Sequence, residues 1–568
     1  MLAVQRDTNN PHRFPGAVAV AALCWQLPFP NLGGWGTVLP FNLITLAIVG
    51  ALALHTASAV SRRGISIAPA TLPVLALAVV LLITVFWSGW SSVTLDALGV
   101  LLICALVTDR VARVDDQSAT LLLTCITICG AVQASAGIVQ LFGINLDAGL
   151  YKNAELDSQR VPTGVFQQVN VLCSFLAASY GAAGSLIAQE PVNQKPPSIT
   201  GYWIHIAVVV MVAVLTAAGS RIGWISTACV FTIVTVWLSL SAKRTPAKKR
   251  YWIAATTLGV IVGVFIIVLN SPVTTRVHDK LNTETARWEI YRVSLSLISE
   301  QPHAGHGAGS FERSYREKAA ELYQANPESI SYLPANRVAH PHNELLFWWV
   351  QTGWLLPMSA ILVVLIYAFY LRDRSNAYRY PALVIALPLL MHSNTELPLW
   401  QSLVHCLLLA IAAGLLARNA RLIVFNTDSL VMHTVKRSTL LTAGILCIGL
   451  SAHGLFTNTV LWHYRQDPYE HSNLLTWVGH PLLLKTNYDF EFHRQLFNAG
   501  VETGNTTALA MFRSWANQAR YRYPTAQLYQ GLVWANYWLE DRPESSRIQQ
   551  EAEYLFPFES FDFPLDDD

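Results

Sequence analysis

The stretch IAPATLPVLALAVVLLITVFWS, residues 67–88, contains no charged side chain. A helix of about 20 apolar residues is long enough to cross the hydrocarbon core of a bilayer. Similar stretches recur along the chain of 568 residues, of which 53% is hydrophobic and 13% charged. Because soluble domains carry about a quarter charged residues, the composition predicts an all-α, polytopic membrane helix bundle.

Thirteen apolar stretches predict membrane-spanning helices. They lie at residues 14–30, 37–58, 67–88, 92–108, 118–142, 165–188, 202–219, 222–241, 251–270, 343–371, 379–391, 400–417 and 437–459. Arg6 and Arg13 precede the first stretch as in a signal peptide. Since no small-residue cleavage site follows, we expect a retained first helix.

The distribution of Lys and Arg predicts the orientation of the bundle. These residues occupy alternate connections, at Arg62, Arg63, Arg110, Arg113, Lys195, residues 242–250, Arg372, Arg374, Arg379, Arg418, Arg421, Lys436 and Arg437. The opposite connections at 31–36, 89–91 and 392–399 contain neither residue type. We therefore expect a cytoplasmic N-terminus and, with an odd number of spans, a C-terminus on the outer side.

Two larger segments lie on the predicted outer side. Residues 1–462 are predicted to form the transmembrane bundle, including an outer loop at 271–342, and residues 463–568 an outer helical domain. Within that domain we expect helices near 505–521 and 524–540. Alanines and aromatic residues at helical spacing there favour a helical repeat, and a small helical cap of no repeat class is equally compatible.

The cysteines and the basic residues exclude several kinds of site. All eight cysteines fall in apolar stretches, and none has the C-x-x-C or histidine spacing of a zinc site. They are expected to be small buried side chains. No basic block suggests nucleic-acid binding. We therefore expect neither a zinc site nor a nucleic-acid partner.

Five polar motifs interrupt the apolar pattern. They are PTGVFQQVN (162–170), GSRIGW (219–224), TARWEIYRVSLSLISEQPHAGHGAGSF (285–311), HPHNE (340–344) and HSNTELPLW (392–400). With the predicted orientation, all five lie at the outer face of the membrane. A single outward-facing site is the simplest explanation of this distribution.

Each motif also has a purely structural interpretation. Arg221 could extend to lipid headgroups, although it is a cation in a short outer turn, where charges usually have a partner or a function. Arg287 could pair with Glu284 or Glu289. Asn170 could hydrogen-bond a neighbouring helix. The three glycines of AGHGAG could present amides to an anion, but an ordinary loop is favoured.

The HPHNE motif gives the strongest prediction. If the helix extends through it, His342, Leu346, Trp349 and Gly353 lie on one face. Gly353 would then let a neighbouring helix approach that face closely, and His340 would point elsewhere. A histidine at the mouth of a membrane helix beside Asn and Glu favours a functional role for His342.

These motifs resemble the signature of the bacterial O-antigen ligase/Wzy superfamily over residues 115–417. The matching elements are His342, Asn343, ELLFWWVQT and Gly353; Gly164, Phe166 and Asn170; Ser220 and Arg221; and Glu396 and Pro398 in HSNTELPL. His306 stands where a small apolar residue is more usual. The His340/His342 pair and the outer tail look most similar to the PglL-like protein O-oligosaccharyltransferases that glycosylate pilins.

The resemblance implies an enzyme of the bacterial inner membrane with its active site facing the periplasm. It would transfer a preassembled glycan from undecaprenyl diphosphate to a Ser or Thr hydroxyl of an acceptor protein such as a pilin. O-antigen ligases, which glycosylate lipid A-core, and Wzy polymerases remain alternatives within the superfamily. A transporter is disfavoured because the chain shows no half-to-half repetition, and a structural scaffold has no need of Arg221.

The resemblance also implies roles for individual residues. Arg221 and Arg287 would stabilise the diphosphate, because guanidinium carries a permanent charge and a fork of donors. His342 would accept the proton of the acceptor hydroxyl, with Glu396 as an orienting group. The substrate-binding residues would be Asn170, Ser220, His340, Asn343, Gly164 and Gln168. The expected reaction is a direct displacement with inversion and requires neither metal nor cofactor.

Overall fold

Helices dominate the structure, a computed structural model. It describes residues 29, 31–33, 36–58, 65–144, 158–189, 202–240, 246–282, 287–329, 337–373, 376–418, 420–425 and 430–563. Within these ranges, eight helices are long and apolar enough to cross a membrane, and three further apolar helices are shorter. The predicted all-α, polytopic membrane class is confirmed. The predicted span at 14–30 falls almost entirely outside the described residues.

The chain divides into two compact units. The first unit comprises Met1–Ala76, Val100–Thr283 and Val363–Thr459. The second unit comprises Leu77–Gly99, Glu284–Leu362 and Val460–Asp568. Each unit therefore contains segments that are far apart in sequence.

The first nine helices in the described part of the chain run from Pro40 to Asn282, and the ninth lies within the predicted outer loop. They are α1 (Pro40–Ser58), α2 (Thr71–Ser88), α3 (Ser92–Val111), α4 (Asp116–Leu141), α5 (Val169–Gln189), α6 (Trp203–Ala217), α7 (Arg221–Leu240), α8 (Pro246–Leu269) and α9 (Ser271–Asn282). A short strand β1 (Ile65–Ile67) pairs antiparallel with β2 (Ile423–Phe425), with Ser66 opposite Val424.

Twelve further helices follow in the described part of the chain. They are α10 (Arg287–Glu300), α11 (Phe311–Ala325), α12 (Glu344–Thr352), α13 (Leu355–Tyr370), α14 (Arg379–Ser393), α15 (Pro398–Gln401), α16 (Leu403–Leu416), α17 (Leu430–Gln466), α18 (Lys485–Thr503), α19 (Thr506–Ala519), α20 (Ala526–Trp538) and α21 (Arg542–Leu555). The helices expected near 505–521 and 524–540 are confirmed as α19 and α20.

Helix α5 lies at the centre of the first unit. It packs against α4, α6, α7 and α14. In its most apolar stretch, 94% of the residues are buried. Small residues make this close packing possible. A Cβ on Gly181 would lie 2.9 Å from the Val384 carbonyl oxygen, and one on Gly184 would lie 2.9 Å from the Val234 side chain. The sequence of α5 therefore fixes a tightly enclosed helix whose first turn carries Asn170.

The cysteines are sequestered in the first unit, as expected for apolar side chains. Cys104, Cys125, Cys129, Cys173 and Cys406 are buried, and Cys229 and Cys447 are partly buried. Cys24 lies outside the described residues. Among the described residues, no group of three or more His, Cys, Asp or Glu side chains is placed to hold a metal ion.

The predicted single span at 343–371 is wrong. The chain forms two helices there, α12 and α13, which are interrupted at Gly353. Gly353 has a φ of 77° and a ψ of −177°, and its N–H donates to the Trp349 carbonyl oxygen at 2.9 Å. This combination of positive φ and extended ψ is essentially restricted to glycine, and it ends the helix. Hydropathy alone hides the break because apolar residues continue on both sides of it.

The C-terminal helices of the second unit form a sequential stack. Helix α18 packs against α19, α19 against α20, and α20 against α21. Asn505, Thr525 and Asp541 cap the N-termini of α19, α20 and α21 by accepting backbone N–H groups. The buried residues Phe512, Leu532 and Ile548 belong to the shared core. The helical spacing of alanines and aromatic residues therefore made α19 and α20 predictable, and the capping residues define where they begin.

Candidate active site

A turn at residues 163–165 leads into the first cluster of polar residues. Gln140 accepts the N–H groups of Thr163 and Gly164 at 2.9 and 2.8 Å, and Gln133 accepts that of Val165 at 3.1 Å. These two buried glutamines lie seven residues apart on α4, on one face. Gly164 has a φ of 53°, and a Cβ there would lie 2.4 Å from Gln133 Oε1. Gly164 therefore shapes this turn.

The turn delivers two amide side chains to a buried carboxylate. Glu396 is 5% exposed and follows the C-terminus of α14. Asn170 Nδ2 donates to Glu396 Oε1 at 2.7 Å, and Gln168 Nε2 donates to Glu396 Oε2. Both carboxylate oxygens thus accept an amide hydrogen. The structure brings together two motifs that the sequence places far apart.

Ser220 extends this arrangement to the beginning of α7. Its hydroxyl donates to Asn170 Oδ1 at 2.7 Å and accepts the Gly223 N–H at 3.1 Å. Because Oδ1 of Asn170 is occupied by Ser220, its Nδ2 must face Glu396. Arg221 follows Ser220 directly and is exposed. Three of the five polar motifs therefore meet around one carboxylate.

Arg276 supports the turn before Ser220 and was not predicted from the sequence. This residue on α9 is 8% exposed. Its guanidinium donates to the carbonyl oxygens of Arg160 at 2.6 Å and Ala217 at 2.8 Å. Ala217 is the last residue of α6, so a cation there satisfies a helix C-terminus. Only the presence of a cation in the predicted outer loop could have suggested this role.

The HPHNE motif lies in the second unit, and its predicted geometry is wrong in one respect. Asn343 is the N-cap of α12, because its Oδ1 accepts the Leu346 N–H at 3.0 Å. The helix therefore begins after His342, which has a φ of 52°, and His342 does not share a helical face with Leu346 and Trp349. Positive φ is uncommon for a residue with a side chain and is enriched at functional positions.

His340 and His342 are neighbours in space. Their ring centroids are 4.5 Å apart, and the His342 N–H donates to His340 Nδ1 at 3.3 Å. The expectation that His340 points elsewhere is therefore wrong, because the left-handed residue turns the chain back. The Tyr291 hydroxyl donates to the His342 carbonyl oxygen at 3.3 Å. Arg287 precedes Tyr291 by one turn of α10, a rise of about 6 Å.

The glycine-rich segment AGHGAG packs against the end of α12. The N–H groups of His306 and Gly307 donate to the carbonyl oxygens of Val350 and Gln351 at 2.7 and 3.1 Å. The Gly309 N–H donates to Gln351 Oε1 at 2.7 Å. These amides are engaged within the protein, which supports the ordinary loop rather than an anion cradle.

Gly353, at the end of α12, allows the backbone before the AGHGAG segment to approach this helix closely. A Cβ on Gly353 would lie 1.9 Å from the His303 carbonyl oxygen. The close neighbour of Gly353 in the second unit is therefore the backbone of this loop, and not the helix that the sequence suggested.

His392 is a further polar residue that the predictions left without a role. It lies one helical turn before Glu396 and is fully buried. Its Nε2 is 3.4 Å from Glu396 Oε2. The i, i+4 spacing of His392 and Glu396 is a signal that was visible in HSNTELPLW.

Comparisons with known proteins give two family models that match parts of the chain. A family model described as O-Antigen ligase matches residues 206–361. A second, described as Virulence factor membrane-bound polymerase, C-terminal, matches residues 381–565. No curated protein matches the chain. The two matches support the O-antigen ligase/Wzy superfamily and glycan transfer of the ligase or polymerase type.

Proposed function

We propose that this protein transfers a preassembled glycan from undecaprenyl diphosphate to a Ser or Thr hydroxyl of an acceptor protein such as a pilin. The observation that carries this proposal is the convergence of Gln168, Asn170 and Ser220 around Glu396, with Arg221 directly after Ser220. Polar and ionisable side chains buried within a membrane bundle are uncommon and often mark a functional site. Their arrangement suits a site that binds a polar substrate.

The two arginines suit the diphosphate of the donor. Arg221 is the first residue of α7, and Arg287 is the first residue of α10. The N-terminus of a helix carries about half a positive charge and unpaired N–H groups. An arginine there adds a second positive charge, an arrangement that suits the binding of an anion. Each arginine would stabilise the charge that develops on the departing undecaprenyl diphosphate.

His342 is the group that would accept the proton. In the proposed step, the acceptor oxygen forms a bond to C1 of the glycan while the bond between C1 and the diphosphate oxygen breaks. The hydroxyl proton passes to a neutral imidazole of His342, and undecaprenyl diphosphate leaves with the electron pair. The attack inverts the configuration at C1. The reaction balances without a metal, a nucleotide sugar or another cofactor.

The remaining candidates would bind or orient the substrates. Glu396 would hold the amide groups of Gln168 and Asn170. His340 and Asn343 would set the position of His342, the first through its ring and the second by capping the N-terminus of α12 directly after it. We propose a bundle at 1–462 and a C-terminal helical domain at 463–568. The latter boundary lies within α17, which ends at Gln466.

The choice of a protein acceptor rests on the C-terminal helices. Stacked helices such as α18–α21 are common surfaces for binding polypeptides. The exposed side chains of Trp538 and Phe558 in this region favour contact with a partner. We place the protein in the inner membrane, with the site facing the periplasm, on the distribution of its positive charges.

The experiment expresses the full chain in a Gram-negative host that makes one lipid-linked glycan, together with a candidate pilin. Intact-protein mass spectrometry of the pilin and electrophoresis of lipopolysaccharide report the two acceptors. A pilin heavier by one glycan supports the proposal. Decoration of lipid A-core alone would replace it with O-antigen ligase activity, and longer lipid-linked chains alone would indicate a polymerase.

A further inference from the structure

A second chain of hydrogen bonds reaches Glu396 from the interior of the first unit. It consists of His392, Ser174, His405 and Ser402, and each of these four residues is 0% exposed. Ser174 lies on the central helix α5, His392 on α14, and His405 at the start of α16. The proposed reaction does not use these residues. Buried polar side chains of this kind are costly unless their hydrogen bonds are satisfied.

The distances describe one continuous path. Ser402 Oγ is 2.9 Å from His405 Nδ1, and His405 Nε2 is 3.0 Å from Ser174 Oγ. Ser174 Oγ is 2.8 Å from His392 Nδ1, and His392 Nε2 is 3.4 Å from Glu396 Oε2. Each imidazole thus has a partner at both ring nitrogens. A neutral imidazole has one donor and one acceptor nitrogen. A ring that accepts a hydrogen bond at one nitrogen must therefore donate one at the other.

The residues at the two ends of this hydrogen-bond chain determine which atom donates in each contact. At one end, Ser402 is the N-cap of α16 and accepts the His405 N–H, which leaves its hydroxyl hydrogen for His405 Nδ1. At the other end, both oxygens of Glu396 already accept amide hydrogens from Gln168 and Asn170. A carboxylate is the form that accepts at both oxygens. The consistent order is Ser402 to His405 to Ser174 to His392 to Glu396.

If the donors and acceptors were reversed, an unfavourable contact would arise at Ser174 or at Glu396. If the Ser174 hydroxyl donated instead to the Val171 carbonyl oxygen, which is 3.1 Å away, His392 would have to donate from Nδ1. Its Nε2 lone pair would then face the carboxylate of Glu396. That contact is repulsive unless Glu396 is protonated, and a protonated Glu396 would lose an acceptor for the amides.

We propose that Ser174 and His405 are positioning residues that hold His392 as its Nε2–H tautomer and thereby fix Glu396 as an ionised acceptor. The rings of Phe166 and Phe175 enclose His405 at centroid distances of 5.6 and 6.3 Å, which favours an uncharged imidazole. Glu396 in turn orients Asn170 and, through it, the Ser220–Arg221 turn. The consequence for catalysis rests on the proposed function, whereas the tautomer assignment does not.

The test measures tautomers directly. In the purified full chain labelled with ¹⁵N-histidine, NMR shifts distinguish Nε2–H from Nδ1–H imidazole. The signals of His392 and His405 are identified by their loss in single variants. Both residues are expected as Nε2–H in the wild type, and Ser174→Ala is expected to remove that preference at His392. A wild-type His392 that carries its hydrogen on Nδ1 would overturn the proposal.

A matched pair of substitutions separates positioning from packing. In His405→Gln, the side-chain amide can place an N–H donor at the position of Nε2. In His405→Asn, the side chain has a similar polarity but is too short to place a donor there. His405→Asn and Ser174→Ala should each lower kcat about tenfold, the effect of one lost hydrogen bond, with KM unchanged. His405→Gln should retain most of the wild-type kcat. Equal kcat in both His405 variants would reduce the chain to a structural role and overturn the positioning claim.

The two readouts fail independently. If the wild type transfers no glycan to any acceptor, the proposed function is wrong, and the NMR spectrum still decides the tautomer of His392. If transfer occurs but Ser174→Ala leaves kcat at the wild-type value, the proposed function stands and this inference falls.

Discussion

Asn170 donates its side-chain amide to Glu396 at 2.7 Å, although 226 residues separate the two along the chain. The same side chain accepts the Ser220 hydroxyl through its oxygen. Asn170 therefore joins the beginning of α5, the beginning of α7 and the turn after α14. The side-chain amide nitrogen of Asn170 can only donate and its oxygen can only accept, so substitutions that exchange donor and acceptor at the contact with Glu396 should change the stability of the fold.

Reversing this contact provides the first prediction. Glu396→Gln alone should destabilise the fold, because an amide at 396 presents N–H to either Gln168 or Asn170, both of which are donors there. Asn170→Asp alone should destabilise it by placing two carboxylates together. The double variant restores a donor opposite an acceptor and keeps the total charge. We expect a coupling free energy of about 1–3 kcal/mol, measured by unfolding in mixed detergent–SDS micelles.

The control for that cycle is a pair in which the contact is absent. Asn170→Asp combined with Thr506→Ala in the second unit should show additive losses. If Asn170→Asp and Glu396→Gln are additive as well, the two residues do not make the contact that orients this site.

Arg221 provides the second prediction. Arg221→Ala should lower kcat/KM by about 10²–10³-fold, since it removes a charged donor from the departing diphosphate. Arg221→Lys should give an intermediate rate, because lysine keeps the charge and loses the fork. The measurement is the initial rate of undecaprenyl diphosphate release by the purified chain. Arg421→Ala, a change at another exposed arginine of the first unit, is the control. A rate for Arg221→Ala within twofold of wild type would exclude the diphosphate role.

Gly353 provides the third prediction, concerning stability. Gly353→Ala places a Cβ 1.9 Å from the His303 carbonyl oxygen at a φ of 77°. Gly479→Ala also places a side chain at a positive φ, 64°, with nothing within 4 Å of the added Cβ, so it carries the cost of a positive φ, about 1–2 kcal/mol, without a clash. We expect a clearly larger fall in melting temperature for Gly353→Ala. Equal falls would mean that the AGHGAG loop moves away freely.

The fourth prediction concerns acid stability of the second unit. Burial raises the pKa of Glu551, but the Tyr529 hydroxyl and the charges of Arg520 and Arg313 outweigh burial and hold that pKa below its ordinary value of 4.5. Tyr529 and Arg520 each donate to this carboxylate at 2.7 Å. A lowered pKa in the folded state stabilises the fold above the ordinary value, and this contribution disappears as the pH falls through the folded pKa.

The comparison that checks this pairs the wild type with Glu551→Gln. The difference between their melting temperatures should be largest at neutral pH and should shrink as the pH falls below 4.5. A difference that stays constant with pH would show that the carboxylate is not stabilised by its charge.

The sequence predicted those features that depend on local pattern. Apolar length predicted the membrane helices, and alanines and aromatic residues at helical spacing predicted α19 and α20. The motif PTGVFQQVN and the pair Ser220–Arg221 predicted which residues belong near a site. The family resemblance contributed their common function, which hydropathy could not supply.

The features that the sequence did not predict depend on contacts distant along the chain. Hydropathy joined α12 and α13 into one span because the positive φ of Gly353 leaves no apolar signature. The proximity of His340 and His342 depends on a φ of 52° at His342, which no spacing rule gives. Ser174 and His405 read as ordinary residues of apolar helices, and only the packing of α5 against α14 joins them to Glu396.

The most direct test measures transfer from a lipid-linked glycan to a pilin, with and without the imidazole of His342. The purified full chain is incubated with undecaprenyl-diphosphate-linked glycan and a pilin, and the intact mass of the pilin is followed with time. We predict a mass increase of one glycan with the wild type, a rate lower by about 10²–10⁴-fold with His342→Ala, and an unchanged rate with His480→Ala, an exposed histidine of the second unit. Transfer by His342→Ala at the wild-type rate would contradict the assignment of the base, and absence of any transfer by the wild type would contradict the proposed function.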